Sequence, residues 1–262
     1  ALVEGLRNAF ATIRASVASA VGVGVSTKSI ELTTDTGLYR VSFDPRSWAG
    51  SLVGYRYVGF DAASGSINTS KAWDLAEKLP LQHWSTGRRI VTMRSDGRAT
   101  AGTNAVALRW DQLSTAQQAA LGDDPTLLDW LRGAPDTGSR RTRVRYDERG
   151  NVYPALLGDI VDSEPRYVGA PQAPYVDQYN PGYSAFKTAR ANRRGVIYAG
   201  ANDGMLHAVD ADVEGTGTGG TELFAYVPSF LFFGPTAPTI DGLAALADPG
   251  YSHRYYVNAS PT

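Results

Sequence analysis

Acidic side chains at regular spacing are the clearest candidates for chemistry in this sequence of 262 residues. Asp210, Asp212 and Glu214 stand at positions one, three and five of a run that has Gly215 at position six. Oxygen ligands at those positions, with glycine at the sixth for a sharp turn, are typical of the start of a calcium loop. The pattern then fails, because Thr221 occupies position twelve, where a bidentate glutamate is needed. Asp210, Asp212 and Glu214 are therefore candidate calcium ligands, and an ordinary acidic turn is the favoured interpretation.

Residues able to act as general acids or bases are few. The histidines are His83, His207 and His253, and none pairs locally with a carboxylate at a spacing typical of catalysis. His207 alternates with apolar neighbours in a strand-like run, which favours a packed or hydrogen-bonded side chain over a ligand. No Gly-x-Ser-x-Gly, phosphate-loop or dinucleotide motif is present in the sequence. We therefore predict no catalytic residue, no enzyme activity and no cofactor, with calcium at the acidic run as the disfavoured alternative.

The composition excludes further kinds of chemistry. The chain has no cysteine, which rules out disulfides and thiol catalysis and fits an oxidising compartment. A formal net charge of −1 provides no overall field to attract nucleic acid. The basic pairs, Arg140 with Arg141 and Arg193 with Arg194, are interpreted as solvated loop ends. No run approaches the roughly 20 apolar residues of a membrane span, so we expect neither a nucleic-acid partner nor a transmembrane segment.

Turn-forming and aromatic residues predict many short strands. The 28 glycines, 14 prolines and 14 tyrosines favour a mainly β fold. Residues 1–25 are predicted to be a helix and connector from a preceding region, because apolar residues recur at helical spacing and a Gly/Ser-rich run follows. Strands are predicted within 37–61 and 88–110, and a second β region begins at Tyr153. A helical insertion at about 112–133 separates the two regions.

The ends of the helical insertion have specific signals. Ser114 with Gln117 forms a capping box at the start of the first helix. Asp124 followed by Pro125 begins a second helix, and Gly133 would end it.

One strand pattern occurs twice. The stretch GVIYAGANDGMLHAVDA, residues 195–211, predicts two strands joined by a type I′ turn at Asn202-Asp203-Gly204. A strand opened by Gly-x-Leu, an Asp-Ala turn and a strand with an aromatic residue follow one another in 50–73 and again in 204–226. A repeat of roughly 40 residues with this layout is typical of propeller blades. The alternative is that two ordinary hairpins are alike.

Several runs carry a resemblance to a known family. LGDIVDSEPRYVGAP at 157–171, the hairpin stretch at 195–211 and ELFAYVP at 222–228 occur in that order. Together they closely resemble the C-terminal β-propeller domain of the PilY/PilC proteins. LYRVSFDPRSWAGSLVGY at 38–55 is similar to the first-blade segment of that family, and YSHRYYVNASPT at 251–262 is similar to the start of a following blade.

The resemblance implies a fold and a function. It implies a partial β-propeller with quinoprotein-like blades of antiparallel strands, of which residues 26–262 form the first blades. It also implies a non-enzymatic type IV pilus assembly or tip-associated protein that supports pilus biogenesis, twitching motility and surface adhesion. The implied partners are minor pilins or other tip components, with a host or surface receptor as a further candidate. The implied location is exported: periplasm, outer membrane or cell surface at the pilus tip. The calcium loop of the family lies in later blades, so Asp210 does not inherit that role.

Two other functions remain open on the residues alone. A pyrroloquinoline-quinone-type dehydrogenase would share Asp-x-x-Thr-Gly turns, but this chain has only Asp61-Ala-Ala-Ser-Gly65 and the interrupted run at Asp210. A periplasmic scaffold for outer-membrane assembly is the other alternative. The motif at 157–165 favours the pilus family over both. We name 133–151 and 229–250 as candidate contact loops.

Overall fold

Antiparallel strands make up most of the regular structure. The computed structural model describes residues 22–25, 37–61, 66–95, 105–136, 138–147, 149–234 and 242–262. The helix predicted near the start of the chain lies outside these residues. Gly22–Val25, at the end of the predicted connector, forms a strand.

Short strands alternate with a few short helices along the chain. The strands are β1 (Gly22–Val25), β2 (Gly37–Asp44), β3 (Ala49–Asp61), β4 (Ser66–Asp74), β5 (Ile90–Met93), β6 (Ala105–Ala107), β7 (Val144–Tyr146), β8 (Val152–Pro154), β9 (Arg166–Val168), β10 (Val196–Ala201), β11 (Met205–Asp210) and β12 (Glu222–Val227). The α-helices are α1 (Leu75–Lys78), α2 (Thr115–Ala120), α3 (Pro125–Arg132) and α4 (Tyr183–Ala189). Short 3₁₀ helices cover Leu79–Leu81, Trp110–Gln112, Ser229–Phe232 and Leu243–Ala247.

The first sheet has the order β1-β2-β3-β4, and every neighbouring pair is antiparallel. Along β2, Tyr39 and Val41 are buried and Arg40 between them is exposed. This alternation is the period-two pattern of a strand with one face in the core. The sheet is therefore a four-stranded meander of the kind that builds a propeller blade.

The second sheet contains a similar meander and two added strands. Its order is β6-β5-β12-β11-β10-β9, in which β9 to β12 run antiparallel in chain order. Strand β5 comes from much earlier in the chain and pairs with β12 in parallel, with Ile90 opposite Ala225. A separate hairpin is formed by β7 and β8. The chain is mainly β with two blade-like sheets, as the sequence predicts.

The two meanders differ in register. Gly54 lies opposite Trp73 in the first sheet, whereas Leu206 lies opposite Tyr226 in the second. The sequence repeat aligns Leu52 with Leu206 and Trp73 with Tyr226. In the first sheet, however, Trp73 lies opposite Gly54, which is two residues beyond Leu52. A Cβ atom on Gly54 would overlap the Trp73 ring, which explains why glycine stands there.

The two sheets pack against each other through one buried cluster. The first sheet supplies Tyr39, Val41, Leu52 and Trp73, and the second supplies Ile197, Ala199, Val209 and Ala211. Two hydrogen bonds reinforce this contact. The Tyr39 hydroxyl donates to the Ala211 carbonyl, and the Trp73 indole donates to the Asp212 carbonyl, both at 2.6 Å.

The helical insertion forms a second cluster beside β5 and β12. Ser114 Oγ accepts from the Gln117 amide, and the Gln117 side chain accepts from the Ser114 amide, which is the predicted capping box. Asp124 caps α3, and Gly133 ends it with a φ of 114°. The buried side chains of this cluster include Leu128, Trp130, Phe232, Ile90 and Val227.

The hairpin turn differs from the type I′ turn predicted. Of its residues, Gly204 has a positive φ of 88°, and Asn202 and Asp203 do not. The Gly204 amide donates to the Ala201 carbonyl at 3.2 Å. This is a type I turn followed by a left-handed glycine, the three-residue form of a β-hairpin. Asp203 stabilises this form because its Oδ1 accepts from the Met205 amide at 3.1 Å.

The C-terminal run also differs from expectation. Residues 251–262 contain no strand, although they are similar to the start of a blade. The Tyr256 amide donates to Asn202 Oδ1 at 2.9 Å, and Ser260 Oγ accepts from the Glu164 amide at 2.9 Å. This run therefore covers the hairpin turn and the segment that precedes β9.

Candidate functional site

His207 occupies the centre of a buried charged network. It lies in β11 with a fully buried side chain. Its Nδ1 lies 2.8 Å from Glu222 Oε1, and its Nε2 lies 3.1 Å from Asp203 Oδ2. The expectation of a packed, hydrogen-bonded His207 agrees with this geometry. Local spacing indicated no catalytic pairing of a histidine with a carboxylate, and the Glu222 contact is not local, because folding brings Glu222 across from the neighbouring strand.

Arg88 completes the network from the other side of Glu222. Its Nε donates to Glu222 Oε2 at 2.8 Å and its Nη2 donates to Glu222 Oε1 at 2.9 Å. Its Nη1 donates to the Arg132 carbonyl at the end of α3, at 2.8 Å. The exposed fractions of the Arg88 and Glu222 side chains are 1% and 0%. This bidentate pair joins the segment just before β5, the start of β12 and the helical insertion.

The charges of the network determine its protonation. Burial alone lowers the pKa of His207, but Asp203 and Glu222 outweigh burial and raise the pKa to about 9. Burial raises the pKa of Glu222, and the stronger effects of Arg88 and His207 lower it to about 2. At neutral pH, His207 is therefore a cation between two carboxylates. In that state both ring nitrogens donate, Nδ1 to Glu222 and Nε2 to Asp203.

A second histidine is paired in the same region. His253 Nε2 lies 2.7 Å from Asp159 Oδ2, which also accepts from Asn202 Nδ2 at 2.7 Å. The His253 ring stacks on Trp48 with ring centroids 3.6 Å apart. These contacts join the β2–β3 turn, the segment before β9 and the C-terminal run.

A small cavity borders the network. Its volume is about 20 Å³, and its lining includes Ser47, Arg141, Arg143 and Asp203. That space suits about one water molecule, whereas small-molecule sites measure roughly 300–1,000 Å³. The cavity is therefore too small for an organic cofactor or substrate.

The arginines of the crossing segment are not the solvated loop ends predicted. Arg140 is largely buried and pairs with Asp124 at 2.6 Å. Arg141 lies over the Tyr251 ring at 4.0 Å, and Arg143 lies over Trp130 at 3.8 Å. Burial, reinforced by the charge of Arg141, lowers the pKa of Arg143 to about 9. Part of the candidate contact loop 133–151 therefore packs against the rest of the protein, and the other described residues of the loop are exposed.

The candidate loop 229–250 is also partly internal. Phe232, Leu243 and Leu246 are buried in the cluster around the helical insertion. Residues 235–241 lie outside the described part of the chain.

The acidic run forms an ordered turn after β11. Asp210 pairs with Arg194 through Oδ2, and its Oδ1 accepts from the Asp212 amide at 3.0 Å. The Asp212 carboxylate accepts from the Glu214 amide at 3.0 Å and from the Thr216 amide at 3.1 Å. Glu214 is exposed. Within the described residues, no group of three or more His, Asp or Glu side chains is arranged to hold a metal ion. Asp210, Asp212 and Glu214 remain candidate calcium ligands, with an ordinary acidic turn as the favoured interpretation.

An exposed excursion between β9 and β10 was not singled out from the sequence. We call residues 170–194 the β9–β10 arm; it contains α4. Its exposed large side chains are Tyr175 (58%), Val176 (52%), Tyr179 (76%) and Phe186 (45%). The signal in the sequence was the recurrence of tyrosines in a polar, proline-containing run, which has no strand or core periodicity.

These observations define a protein of the β-propeller class whose buried charges are engaged in structural contacts. Residues 157–262 match the family model described as the PilY1 beta-propeller domain. The whole chain is 30% identical over 265 residues to a "Type IV pilus biogenesis factor PilY1 homolog" of Xylella fastidiosa. It is 32% identical over 232 residues to the "Type IV pilus biogenesis factor PilY1" of Pseudomonas aeruginosa, a match that covers 85% of this chain. The chain belongs to the PilY1 family, which confirms the resemblance seen in the sequence.

The comparisons also limit what is carried over. The chain spans 18% of the length of each of these two relatives. No solved structure matches the chain. Among the described residues, no helix has the length and apolar character needed to cross a membrane.

Proposed function

We propose that this chain is the propeller portion of an exported, non-enzymatic type IV pilus biogenesis factor. It acts at the periplasm, the outer membrane or the cell surface, close to the pilus tip. Its partners are minor pilins or other tip components, and it supports pilus assembly, twitching motility and surface adhesion. It functions by binding other proteins and uses no cofactor for this role.

The family match is the observation that carries the proposal. It extends over the whole chain in the Xylella relative, which is named as a pilus biogenesis factor. The absence of cysteine is consistent with an oxidising compartment outside the cytoplasm.

The buried network supports a binding role over a catalytic one. His207 and Glu222 have fully buried side chains, and each is engaged by a charged partner. They hold the hairpin and the helical insertion together, so the surface of the domain is what remains for function. A rigid scaffold with exposed connecting segments suits protein docking.

The test is deletion of the gene in its native cell, followed by complementation. We expect surface pili, counted by electron microscopy, and twitching motility to be lost and then restored by the wild-type gene. Normal pili and motility in the deletion strain would overturn the proposal.

Two further measurements test its finer parts. Gold-labelled antibodies should mark pilus ends, and a label spread along the cell body would contradict the tip location. The purified protein should show no quinone-dependent dehydrogenase activity, and measurable turnover would contradict the non-enzymatic role.

A further inference from the structure

We propose that the β9–β10 arm is the surface that docks a pilus-system protein, and that the docking surface of this partner is acidic. This inference rests on the proposed function and names the chemistry of the partner. Its first support is exposure. All residues from 174 to 194 are exposed except Tyr183, which is half-buried. Aromatic residues so far from the core are unusual on a soluble surface and mark interaction sites when they cluster.

The arm is ordered by its own contacts. The Tyr179 and Asn180 amides both donate to the Val176 carbonyl, at 3.1 and 3.0 Å. Tyr183 packs edge-on against Tyr175, with ring centroids 5.2 Å apart, and also lies 6.1 Å from the Phe186 ring. A surface that is already folded loses less conformational entropy when a partner binds.

The base of the arm is fixed to the second sheet. Arg193 Nε donates to the Gly169 carbonyl at 2.6 Å, on the opposite side of the arm. Arg194 pairs with Asp210 at the end of β11. Both arginines therefore have structural roles, and they hold the arm at a set position relative to the propeller.

The remaining charges of the arm are positive. Asp177 is its one acidic residue, and Asp177 Oδ1 accepts from the Ser184 amide at 2.8 Å. Lys187 and Arg190 are exposed and make no side-chain hydrogen bond or ion pair with the described residues. A chain with a net charge of −1 therefore presents a local cationic surface here.

The free cations and the rings share one face of α4. Tyr183, Phe186 and Lys187 follow the i, i+3, i+4 spacing of a single helix face, and Arg190, the residue that caps the end of α4, follows at i+7. Tyrosine and arginine are enriched at the energetic centres of protein interfaces, where apolar contact is surrounded by polar pairs. A complementary surface would offer carboxylates around an apolar pocket.

Other occupants fit less well. A helix that lies on a membrane needs a broad apolar face, whereas α4 has seven residues, with Phe186 as its one large apolar side chain without a hydroxyl. Two free cations are too few for nucleic acid, because such binding draws on many phosphate contacts. A symmetric second copy would bring two cationic faces together, which is unfavourable.

The binding test uses the purified protein that carries the complete chain. The probes are the individual pilin subunits of the same organism, prepared as soluble domains, and vesicles of phosphatidylglycerol. We expect one acidic subunit to bind, with an affinity that falls as salt rises. The double variants Lys187→Glu/Arg190→Glu and Tyr179→Ser/Phe186→Ser should each weaken binding at least about tenfold. Matched controls are Arg40→Glu/Arg56→Glu and Leu81→Ser, which change exposed residues on other surfaces and should leave affinity within about twofold.

The possible results separate the hypotheses. The proposal of a docking surface is wrong if no subunit binds, or if the arm variants bind as tightly as the wild type. If the arm is needed only for binding to vesicles, the arm binds a membrane and the proposal of a protein-docking surface is also wrong. Thermal unfolding of each variant shows whether the domain remains folded.

The same variants are tested in the deletion strain. If the strain keeps its pili, the proposed function is wrong. If the strain loses its pili and the arm variants restore them as well as wild type does, only the docking inference is wrong.

Discussion

The indole of Trp73 donates a hydrogen bond of 2.6 Å to the backbone carbonyl of Asp212. This bond joins β4, the last strand of the first sheet, to the turn that follows β11 in the second sheet. Trp73 is 4% exposed, and its ring also fills the space left by Gly54 and Gly220. The acidic turn is therefore part of the contact between the two sheets.

The Tyr39 hydroxyl makes the companion contact to Ala211. We expect Tyr39→Phe to lower the free energy of unfolding by about 1–3 kcal/mol, because the buried carbonyl loses its donor. Urea denaturation measures this change. Tyr57→Phe is the control, since the Tyr57 hydroxyl has no hydrogen bond to the described residues, and it should be close to neutral. Equal effects would show that the Tyr39 bond does not stabilise the interface.

Breaking the buried ion pair should be more costly. We expect Arg88→Met to destabilise the protein by about 3–5 kcal/mol, because Glu222 loses its bidentate partner inside the core. Arg46→Met is the matched control. The Arg46 side chain is 55% exposed in its pair with Asp44, so its loss should cost at most about 1 kcal/mol. Thermal or urea unfolding of both variants gives the comparison, and similar losses would contradict a structural role for the network.

Stability should depend on pH through His207. Its pKa rises from 6.5 to about 9 on folding, so its contribution is complete below pH 6.5 and is lost as the pH rises through 9. At acidic pH the lowered pKa of Glu222 is what matters: the contribution of Glu222 to stability is lost as the pH falls from 4.5 towards 2. We expect His207→Gln to flatten the alkaline decline, as measured by urea midpoints between pH 6 and 10. If the stability of the wild type instead rose between pH 6 and 10 relative to that of His207→Gln, the raised pKa assigned to His207 would be wrong.

Gly204 is required for two reasons, its left-handed backbone and its packing. Its φ is 88°, and a Cβ atom there would lie 2.7 Å from Leu243 Cδ2. Gly217 has a φ of 89° and no atom within 4 Å of such a Cβ. We expect Gly217→Ala to cost about 1 kcal/mol and Gly204→Ala to cost about 1–3 kcal/mol more, as determined by thermal unfolding. Equal costs would mean that Leu243 moves aside freely.

Calcium should have little effect on this chain. Asp210 is paired with Arg194, and Asp212 accepts hydrogen bonds from its own turn. We expect the melting temperature to be the same in excess calcium and in chelator. A rise with calcium that Asp212→Asn abolishes would instead support the calcium loop.

Local patterns predicted local structure well. The capping box at Ser114 and the helix end at Gly133 depend on residues a few positions apart, and both occur as predicted. The turn at Asn202 was predicted as the wrong type, because Asp203 also accepts from the Gly158 amide, far away in the sequence. Arg88 and Glu222 likewise meet only after the sheets assemble, so neither spacing nor composition indicated their pairing.

The same limit applies to the surface. Arg141 and Arg143 lie in a run with the composition of a polar loop, but aromatic rings on other elements cover them and leave them half-buried. The exposure of the β9–β10 arm could not be predicted from the sequence, because exposure is a property of the assembled fold. Its tyrosines were visible in the sequence, and their position at the surface was not.

The parallel pairing of β5 with β12 has a consequence for the order in which the protein is built. Ile90 emerges during synthesis long before Ala225, the residue beside which it finally lies. Until the later strand arrives, one edge of β5 has no neighbour and Arg88 has no counter-ion. Contacts between such distant positions slow folding, because a long loop must close first. A chain that crosses a membrane N-terminus first would therefore leave this edge of β5 unpaired until its later residues had passed.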